Sequence, residues 1–186
     1  MITFYLVRHG EAENNVNHIG NALPEKQKMH LTKTGILQVT ATAEFLATKE
    51  VDVIIASPLT RTRETAGIIS EKIGEEVLID DRLHETGMGM YNGEPIEKFF
   101  SKYPDMRARI TTDSADGVES FIDMRGRLTQ FLSDVKKIYT DKKVILVSHG
   151  DVLDQLYGML TEESIGQTLD DTYYPEKGSY KEVIIA

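Results

Sequence analysis

The sequence predicts a three-layer α/β/α sandwich in which helices cover both faces of a mostly parallel sheet. Short apolar runs of strand length alternate along the chain with longer segments that have helical periodicity. This order is typical of α/β folds, in which helical crossovers join parallel strands. The 186 residues contain no repeat, low-complexity tract or linker, so they suit one domain with one core.

The first half of the chain predicts two strands, each followed by a helix. Residues 2–7 form the first buried strand, and Thr32 is the expected N-cap of the first helix. One face of that helix carries the apolar residues Ile36, Val39, Ala43 and Leu46. Val51–Ala56 is the second strand. Ser57-Pro58 then supplies the cap and first position of a helix that runs to about Ile73.

The alternation continues after an irregular stretch. We expect a short strand near Val77–Ile79, and then an irregular segment, residues 83–116, with a short helix around Ile96–Tyr103. A long helix follows from about Val118 to Tyr139. Its apolar stripe consists of Phe121, Met124, Leu128, Phe131, Val135 and Ile138.

Three elements complete the prediction. They are a strand at Val144–Val147, an apolar helix from about Val152 to Leu160 and an edge strand at Val183–Ile185. We therefore expect a single domain over residues 1–186, with a small irregular insertion around residues 86–116.

Composition and charge exclude several classes of protein. The absence of Cys excludes disulfides, thiolate metal sites and a cysteine nucleophile. The net charge of −9 argues against the basic face that nucleic acids and anionic membranes require, although a few cations can still make one cleft positive. The apolar runs are too short to span a bilayer, and the N-terminus lacks a signal-peptide pattern, so we expect a cytoplasmic protein. The oligomeric state is not predicted.

Charged residues stand at the carboxyl ends of three predicted strands. Arg8 and His9 end the first strand, Arg61 lies just past the second, and His149 ends a later one. Ligands of open parallel sheets bind beyond the carboxyl ends of the strands. We therefore expect these side chains, which are distant in sequence, to meet at one edge of the sheet.

The residue types at this edge suit a phosphate group. A guanidinium such as that of Arg8 can grip phosphate through two parallel hydrogen bonds, and Gly10 permits close approach. The helix dipole disfavours a cation in the first turn, where Arg61 is expected, unless an anion is shared there. Taken singly, each residue also fits an ordinary structural role: a strand-end Arg, a surface Arg or a His at a turn.

The sequence offers one candidate proton donor and no metal site. Cleavage of a phosphate ester needs a group that protonates the departing alkoxide, and Glu85 is the candidate. Taken alone, Glu85 is more simply a surface carboxylate. His18, His30 and His84 have no ligand spacing with carboxylates, so no metal site is expected.

Together these residues resemble the histidine phosphatase superfamily, in its phosphoglycerate-mutase-like branch (branch 1), which contains cofactor-dependent mutases and many phosphatases. The resemblance covers nearly the whole chain in the family's order. Its motifs are Arg8-His9-Gly10 with Asn15; Leu31-Thr32 with Gly35 and Gln38; Ser57-Pro58-Leu59 with Arg61 and Thr65; Leu83-x-Glu85 with Gly89 and Gly93; Gly117-x-Glu119-Ser120 with Arg125; and Val147-Ser148-His149-Gly150.

The resemblance implies roles for the matching positions. His9 would attack phosphorus in line and form a phosphohistidine, while Arg8, Arg61 and His149 would hold the equatorial oxygens. Two Arg and one His would supply the charge compensation that other phosphatases take from metal ions, so no metal or other cofactor is expected. Asn15 would add a neutral donor to the phosphate.

Two further positions bear on the chemistry. Glu85 would protonate the leaving oxygen and then help activate the water that cleaves the phosphoenzyme. The family often has Thr or Ser where this chain has Ala12, so a hydroxyl contact with substrate would be missing. This departure argues mildly against a mutase, because the mutases resemble one another closely there.

The expected function is metal-independent hydrolysis of a small phosphomonoester. Its specificity would lie in Val16–His30 and Glu94–Asp116, and the pocket would gain apolar surface from Tyr91, Phe99, Phe100 and Tyr103 unless these residues are buried. One alternative is a cofactor-dependent phosphoglycerate mutase that uses the same His9, although such mutases are typically longer. Another is a phosphoprotein phosphatase, and a third is a non-catalytic phosphate-binding module.

Overall fold

The computed structural model describes residues 1–170 and 173–185, and a five-stranded sheet lies at its centre. The strands are β1 (Ile2–Arg8), β2 (Val53–Ala56), β3 (Val77–Ile79), β4 (Lys143–Ser148) and β5 (Tyr180–Ile185). Their order across the sheet is β3-β2-β4-β1-β5, and β5 alone of these five runs antiparallel to its neighbour, β1. The prediction of a mostly parallel sheet is confirmed.

Helices cover both faces of this sheet. They are α1 (Glu13–Val16), α2 (Lys33–Leu46), α3 (Thr60–Ile73), α4 (Ile96–Lys102), α5 (Phe121–Ile138), α6 (Gly150–Leu160) and α7 (Ile165–Asp170). Helices α2 and α3 pack on one face and α5 and α6 on the other, which gives the predicted three layers. The short helices α1 and α7 were not predicted. None of the helices in the described part of the chain is long and apolar enough to cross a membrane.

The strands are apolar on both sides because both sides are buried. In β1, Phe4 and Leu6 face the core under α5 and α6, while Tyr5 and Val7 face the core under α2 and α3. Successive side chains of a strand point to opposite faces, so one buried strand serves two cores. This arrangement explains why the central strands read as continuous apolar runs.

Three local predictions were wrong. Helix α3 begins at Thr60 after Leu59, and not at Pro58, because the hydroxyl of Ser57 is bonded to His149 instead of capping the helix. Ile36 is exposed, because the buried stripe of α2 is Gly35, Val39, Thr42, Ala43 and Leu46. Ile138 is also exposed, because the buried stripe of α5 ends at Val135.

Helix α2 supports the loop that follows β1. A Cβ atom on Gly10 would lie 2.5 Å from the carbonyl oxygen of Gly35, so the two backbones pack directly on each other. The hydroxyl of Thr32 caps α2 by accepting from the Gly35 amide (3.0 Å) and donates to Glu11 Oε1 (2.7 Å). The Glu11 amide in turn donates to Gln38 Oε1 at 2.9 Å. These contacts give the motif around Thr32 a structural role in holding the loop.

Candidate active site

The carboxyl ends of β1, β2 and β4 bring the expected side chains together. His9 directly follows β1, Arg61 is the second residue of α3 after β2, and His149 precedes the first residue of α6 after β4. Their exposed fractions are 2%, 1% and 0%, respectively. Three charged or titratable side chains are therefore packed against one another beneath the surface.

The geometry around His9 fixes which ring nitrogen carries the proton. Nδ1 lies 2.7 Å from the carbonyl oxygen of Gly10, which can only accept, so Nδ1 is the protonated nitrogen. Nε2 then has a free electron pair, to which Arg61 Nε donates at 3.1 Å. Burial, Arg61 and Arg8 lower the pKa of His9 well below its ordinary value. His9 is therefore neutral at neutral pH, and Nε2 is the ring nitrogen with a free electron pair.

Arg61 connects the groups of the site. Besides His9, its guanidinium contacts His149 Nδ1 (3.0 Å), the side-chain oxygen of Asn21 and the backbone oxygen of Asn21 (3.1 Å). Thr65 Oγ1 donates to the carbonyl oxygen of Arg61 (2.8 Å) and accepts from the Gly10 amide (3.2 Å), which ties α3 to the β1 loop. Burial lowers the pKa of Arg61 to about 10, so the side chain remains charged at neutral pH.

His149 has the opposite tautomer to His9. Its Nδ1 faces the Arg61 donor and must accept, so Nε2 carries the proton and donates to Ser57 Oγ at 2.8 Å. Burial, Arg61 and His9 lower the pKa of His149 well below its ordinary value. The free site therefore holds two neutral imidazoles around one guanidinium, and His149 Nδ1 is the atom that can take up a proton.

Glu85 brings a carboxyl group to the same place. Its Oε2 lies 3.6 Å from His149 Nδ1 and 3.8 Å from Arg61 Nη2, and its Oε1 accepts from the Thr86 amide at 2.9 Å. The side chain is 21% exposed. Burial and the nearby Asp151 raise the pKa of Glu85 against the opposing effect of Arg61. A carboxyl that keeps its proton more readily than usual suits the role of an acid.

Arg8 and Asn15 stand at the entrance to the site. Arg8 Nη1 donates to the Pro175 carbonyl oxygen (2.7 Å), and the guanidinium carbon lies 5.2 Å from the centre of the Tyr174 ring. Arg8 Nε is buried without a partner among residues 1–170 and 173–185, so this donor is available to an anion. Asn15 Oδ1 accepts from the amide of Ala12 (3.1 Å). Ala12 itself is buried in the core and does not line the cleft.

A cleft of about 390 Å³ is lined by several of these residues, although His9 and His149 are not among them, and it has a polar side and an apolar side. The polar side includes Arg8, Asn15, Arg61 and Glu85. The apolar side consists of Ile19, Met88, Ile96, Phe99, Phe100 and Met106. Of the four aromatic residues weighed in the insertion, Phe99 and Phe100 line the cleft, whereas Tyr91 and Tyr103 do not.

Several other sequence candidates lie away from the cleft. His84 does not line it, and its Nδ1 donates to the backbone oxygen of Glu85 at 2.6 Å. Glu119, from the fifth motif, pairs with Arg127 at 2.6 Å, and Ser120 caps α5. In the described ranges, no group of three or more His, Asp or Glu side chains could hold a metal ion.

The sequence did not single out five residues that the structure places in or beside the site. They are Asn21, Thr86, Arg109, Asp151 and Tyr174. Asp151 could have been identified from the sequence, since it follows the His149-Gly150 motif in the first turn of α6. The others lie in segments without periodicity, where nothing in the sequence indicates which side chains turn inward.

Comparisons with known proteins identify the family of this chain. The sequence model of the histidine phosphatase superfamily (branch 1) matches residues 4–174. Phosphoserine phosphatase 1 of Hydrogenobacter thermophilus is 33% identical over 162 residues, which cover 84% of this chain and 75% of that protein. The probable phosphoglycerate mutase GpmB of Photorhabdus laumondii is 30% identical over 164 residues, which cover 86% of this chain and 75% of that protein.

A solved structure shares the fold. YhfR of Bacillus stearothermophilus matches with a TM-score of 0.85 over 100% of this chain and 92% of that chain, at 23% identity. This likeness concerns the fold alone. The sequence match, which spans all the strand ends described above, shows that the chain belongs to the histidine phosphatase superfamily, branch 1.

Proposed function

We propose that this chain is a metal-independent phosphatase that hydrolyses a small phosphomonoester through a phosphohistidine on His9. The observation that carries the proposal is the state of His9. It is a neutral imidazole whose Nδ1 is protonated and whose Nε2 faces the Arg61 guanidinium. A nucleophile beside a fixed cation is the arrangement that phosphoryl transfer requires.

The first step transfers the phosphoryl group to His9. The substrate phosphate binds between Arg8, Arg61 and Asn15, and Arg61 Nε turns its hydrogen bond from His9 to a phosphoryl oxygen. His9 Nε2 then attacks phosphorus, the P–N bond forms and the ester P–O bond breaks. Glu85 gives its proton to the departing oxygen, which leaves as an alcohol.

His149 responds to the charge of the substrate. It is neutral in the free site because it is buried beside Arg61. A phosphate dianion opposes that effect, so Nδ1 can accept a proton and donate it in a hydrogen bond to an equatorial oxygen. Arg8, Arg61 and protonated His149 together balance the charge that the transition state spreads over these oxygens. The chain's own side chains thus supply the positive charge for the reaction.

The second step restores the enzyme. Glu85 is now a carboxylate and takes a proton from a water molecule, whose oxygen attacks phosphorus. The P–N bond breaks, inorganic phosphate leaves and His9 regains its electron pair. Both steps use the same in-line geometry, with Glu85 acting first as acid and then as base.

The cleft supports a preference among leaving groups. Its volume of about 390 Å³ is at the small end of ligand pockets, and one side of it is apolar. We therefore propose a small ester whose alcohol carries apolar or aromatic surface, packed against Phe100 and Ile96. The alternative, a phosphoglycerate mutase, is supported by the similarity to GpmB and would use the same His9.

Phosphate release in the presence of EDTA tests the proposal. A panel of p-nitrophenyl phosphate, phosphoserine, sugar phosphates and 3-phosphoglycerate is compared for the native protein and His9→Ala. The control is His30→Ala, which removes an exposed imidazole outside the cleft. We expect release that survives EDTA, persists in the control and vanishes in His9→Ala.

Three other outcomes would contradict the proposal or a part of it. No release from any ester, combined with phosphoryl exchange when bisphosphoglycerate is added, would replace the hydrolase with the mutase. Phosphate binding without release or exchange would leave a binding module. Release that is unchanged in His9→Ala contradicts the nucleophile.

A further inference from the structure

A second cluster of polar side chains lies beside Glu85 in the cleft lining. It consists of Asp151, Arg109, Thr86 and Tyr174, which we call the Asp151 cluster. Asp151 is the second residue of α6, and Arg109 comes from a 3-10 turn in the irregular insertion. The cluster thus joins the start of α6 to the insertion, which also lines the cleft.

Three donors converge on the Asp151 carboxylate. Arg109 Nη1 and Thr86 Oγ1 both donate to Oδ2, the latter at 3.1 Å, and the Tyr174 hydroxyl donates to Oδ1 at 2.9 Å. Burial opposes the charge of Asp151, but the cation of Arg109 and these hydrogen bonds outweigh it and lower the pKa of Asp151. Asp151 is therefore an anion at neutral pH.

The ion pair between Arg109 and Asp151 is buried, so a contribution to stability alone does not explain its presence. The side chains of Arg109 and Asp151 are 6% and 13% exposed. Taking two charges out of water costs about as much free energy as their attraction returns, so such pairs contribute little net stability. Arg109 also lies over the rings of Phe99 and Phe121, at 5.5 and 4.9 Å from their centres. This packing clamps the insertion to the core at the position of Asp151.

Thr86 joins the cluster to the proton donor. Its hydroxyl donates to Asp151, while its backbone amide donates to Glu85 Oε1 at 2.9 Å. The other oxygen of Glu85 faces His149 and Arg61. One carboxyl oxygen is thus held and the other is directed at the reacting groups, next to a fixed negative charge.

We propose that Asp151, held as an anion by Arg109, is a positioning residue that orients Glu85 through Thr86 and keeps it protonated for the departing alcohol. This inference rests on the proposed function, because it assigns Glu85 the role of acid. We assign Asp151 no contact with the phosphoryl group. It opposes the cations of the site, which would otherwise draw the proton from Glu85.

The charges that face Glu85 set the sign of the expected effect. They come from Arg8 at the end of β1, Arg61 in α3, His149 and Asp151 at the start of α6, Arg109 in the insertion and Tyr174 before β5. Asp151 is the anion among them at neutral pH. Its removal leaves the cations unopposed, so Glu85 loses its proton at a lower pH.

The test is the pH profile of kcat/KM for Asp151→Asn. With an alkyl phosphate, whose leaving group needs a proton, the alkaline limb should move to lower pH, with about a tenfold loss at alkaline pH. With p-nitrophenyl phosphate, whose leaving group needs none, the limb should stay where it is in the native protein. The control is Asp134→Asn, which removes an exposed partner of Arg82 and should change neither profile.

A second variant separates position from charge. Thr86→Val keeps the anion and the backbone amide but removes the hydroxyl that links them. It should lower kcat for the alkyl phosphate without moving the limb. If thermal unfolding shows that Asp151→Asn does not fold, Tyr174→Phe provides a second test. It removes one donor that offsets the charge of the Asp151 anion, so the alkaline limb for the alkyl phosphate should move slightly to higher pH.

The outcomes are distinguishable. An alkaline limb that is unmoved in Asp151→Asn, or in Tyr174→Phe where that variant replaces it, overturns the inference, as does a limb that moves equally with both esters. If the inference about Asp151 fails in this way but Glu85→Gln still slows the alkyl ester selectively, the proposed function stands without the inference. If the native protein shows no hydrolysis dependent on His9, the proposed function itself fails.

Discussion

Replacement of Arg61 by Lys tests whether the reaction depends on guanidinium geometry or on charge alone. Lys keeps the positive charge, but its single ammonium cannot reproduce a planar fork that contacts His9, His149 and Asn21 together. In the proposed reaction, the same fork turns toward the phosphoryl oxygens as charge develops on them. The substitution therefore removes directed donors from the transition state while leaving the net charge of the site unchanged.

The expected loss follows from the number of donors involved. Removing one preorganised donor from a developing oxyanion lowers kcat about 100- to 1,000-fold, which corresponds to about 2.7–4 kcal/mol. Lys at position 61 loses more than one such contact, so kcat for p-nitrophenyl phosphate should fall at least about 100-fold. The carbonyl oxygens of Asn21 lose their donors as well, which should lower the free energy of unfolding by about 1–3 kcal/mol.

Steady-state kinetics and thermal unfolding measure these two effects. The matched control is Arg63→Lys, two residues further along α3 on its exposed side. It makes the same chemical change outside the cleft and should leave kcat and the unfolding midpoint near native values. If Arg61→Lys retains activity within about tenfold of the native protein, charge alone suffices and the geometric argument is refuted.

Two further predictions concern proton-binding groups. Glu85→Gln should slow alkyl phosphates about 100-fold or more but p-nitrophenyl phosphate far less, because only the former need a proton; equal losses would remove Glu85 from the acid role. Stability should also depend on pH. The folded-state pKa values of His9 and His149 lie below the unfolded value of about 6.5, so the unfolded chain binds more protons below that pH. The free energy of unfolding should therefore fall as the pH drops below about 6.5, and less steeply in His9→Gln; parallel curves for the two proteins would contradict the assignment.

Much of the fold could be predicted because apolar periodicity reports burial. The strand β4 and the long helix α5 appear almost within their predicted limits. Periodicity alone does not report which positions of an apolar face are covered by neighbouring elements, so Ile36 and Ile138 were assigned to buried faces although both are exposed. The start of α3 was misplaced for another reason, since the hydroxyl of Ser57 bonds a residue 92 positions away.

Some residues of the candidate site could be predicted from the sequence and others could not. Arg8, His9, Arg61 and His149 could be placed at one edge because parallel strands present their carboxyl ends together. Asn21 could not, because it enters from an irregular loop and is recognised only by its contacts with Arg61. The pairing of Arg109 with Asp151 depends on how the insertion folds back over α6, which no local pattern encodes.

The central claim is that the phosphoryl group passes through His9, and trapping the intermediate tests it most directly. Glu85→Gln slows the attack of water, so a rapid quench of this variant during turnover of p-nitrophenyl phosphate should accumulate phosphoenzyme. We expect one phosphoryl group on His9, located by peptide mass spectrometry, stable in alkali and labile in acid as is typical of a P–N bond. A phosphoryl group on another residue, or turnover without any phosphoenzyme, would contradict it.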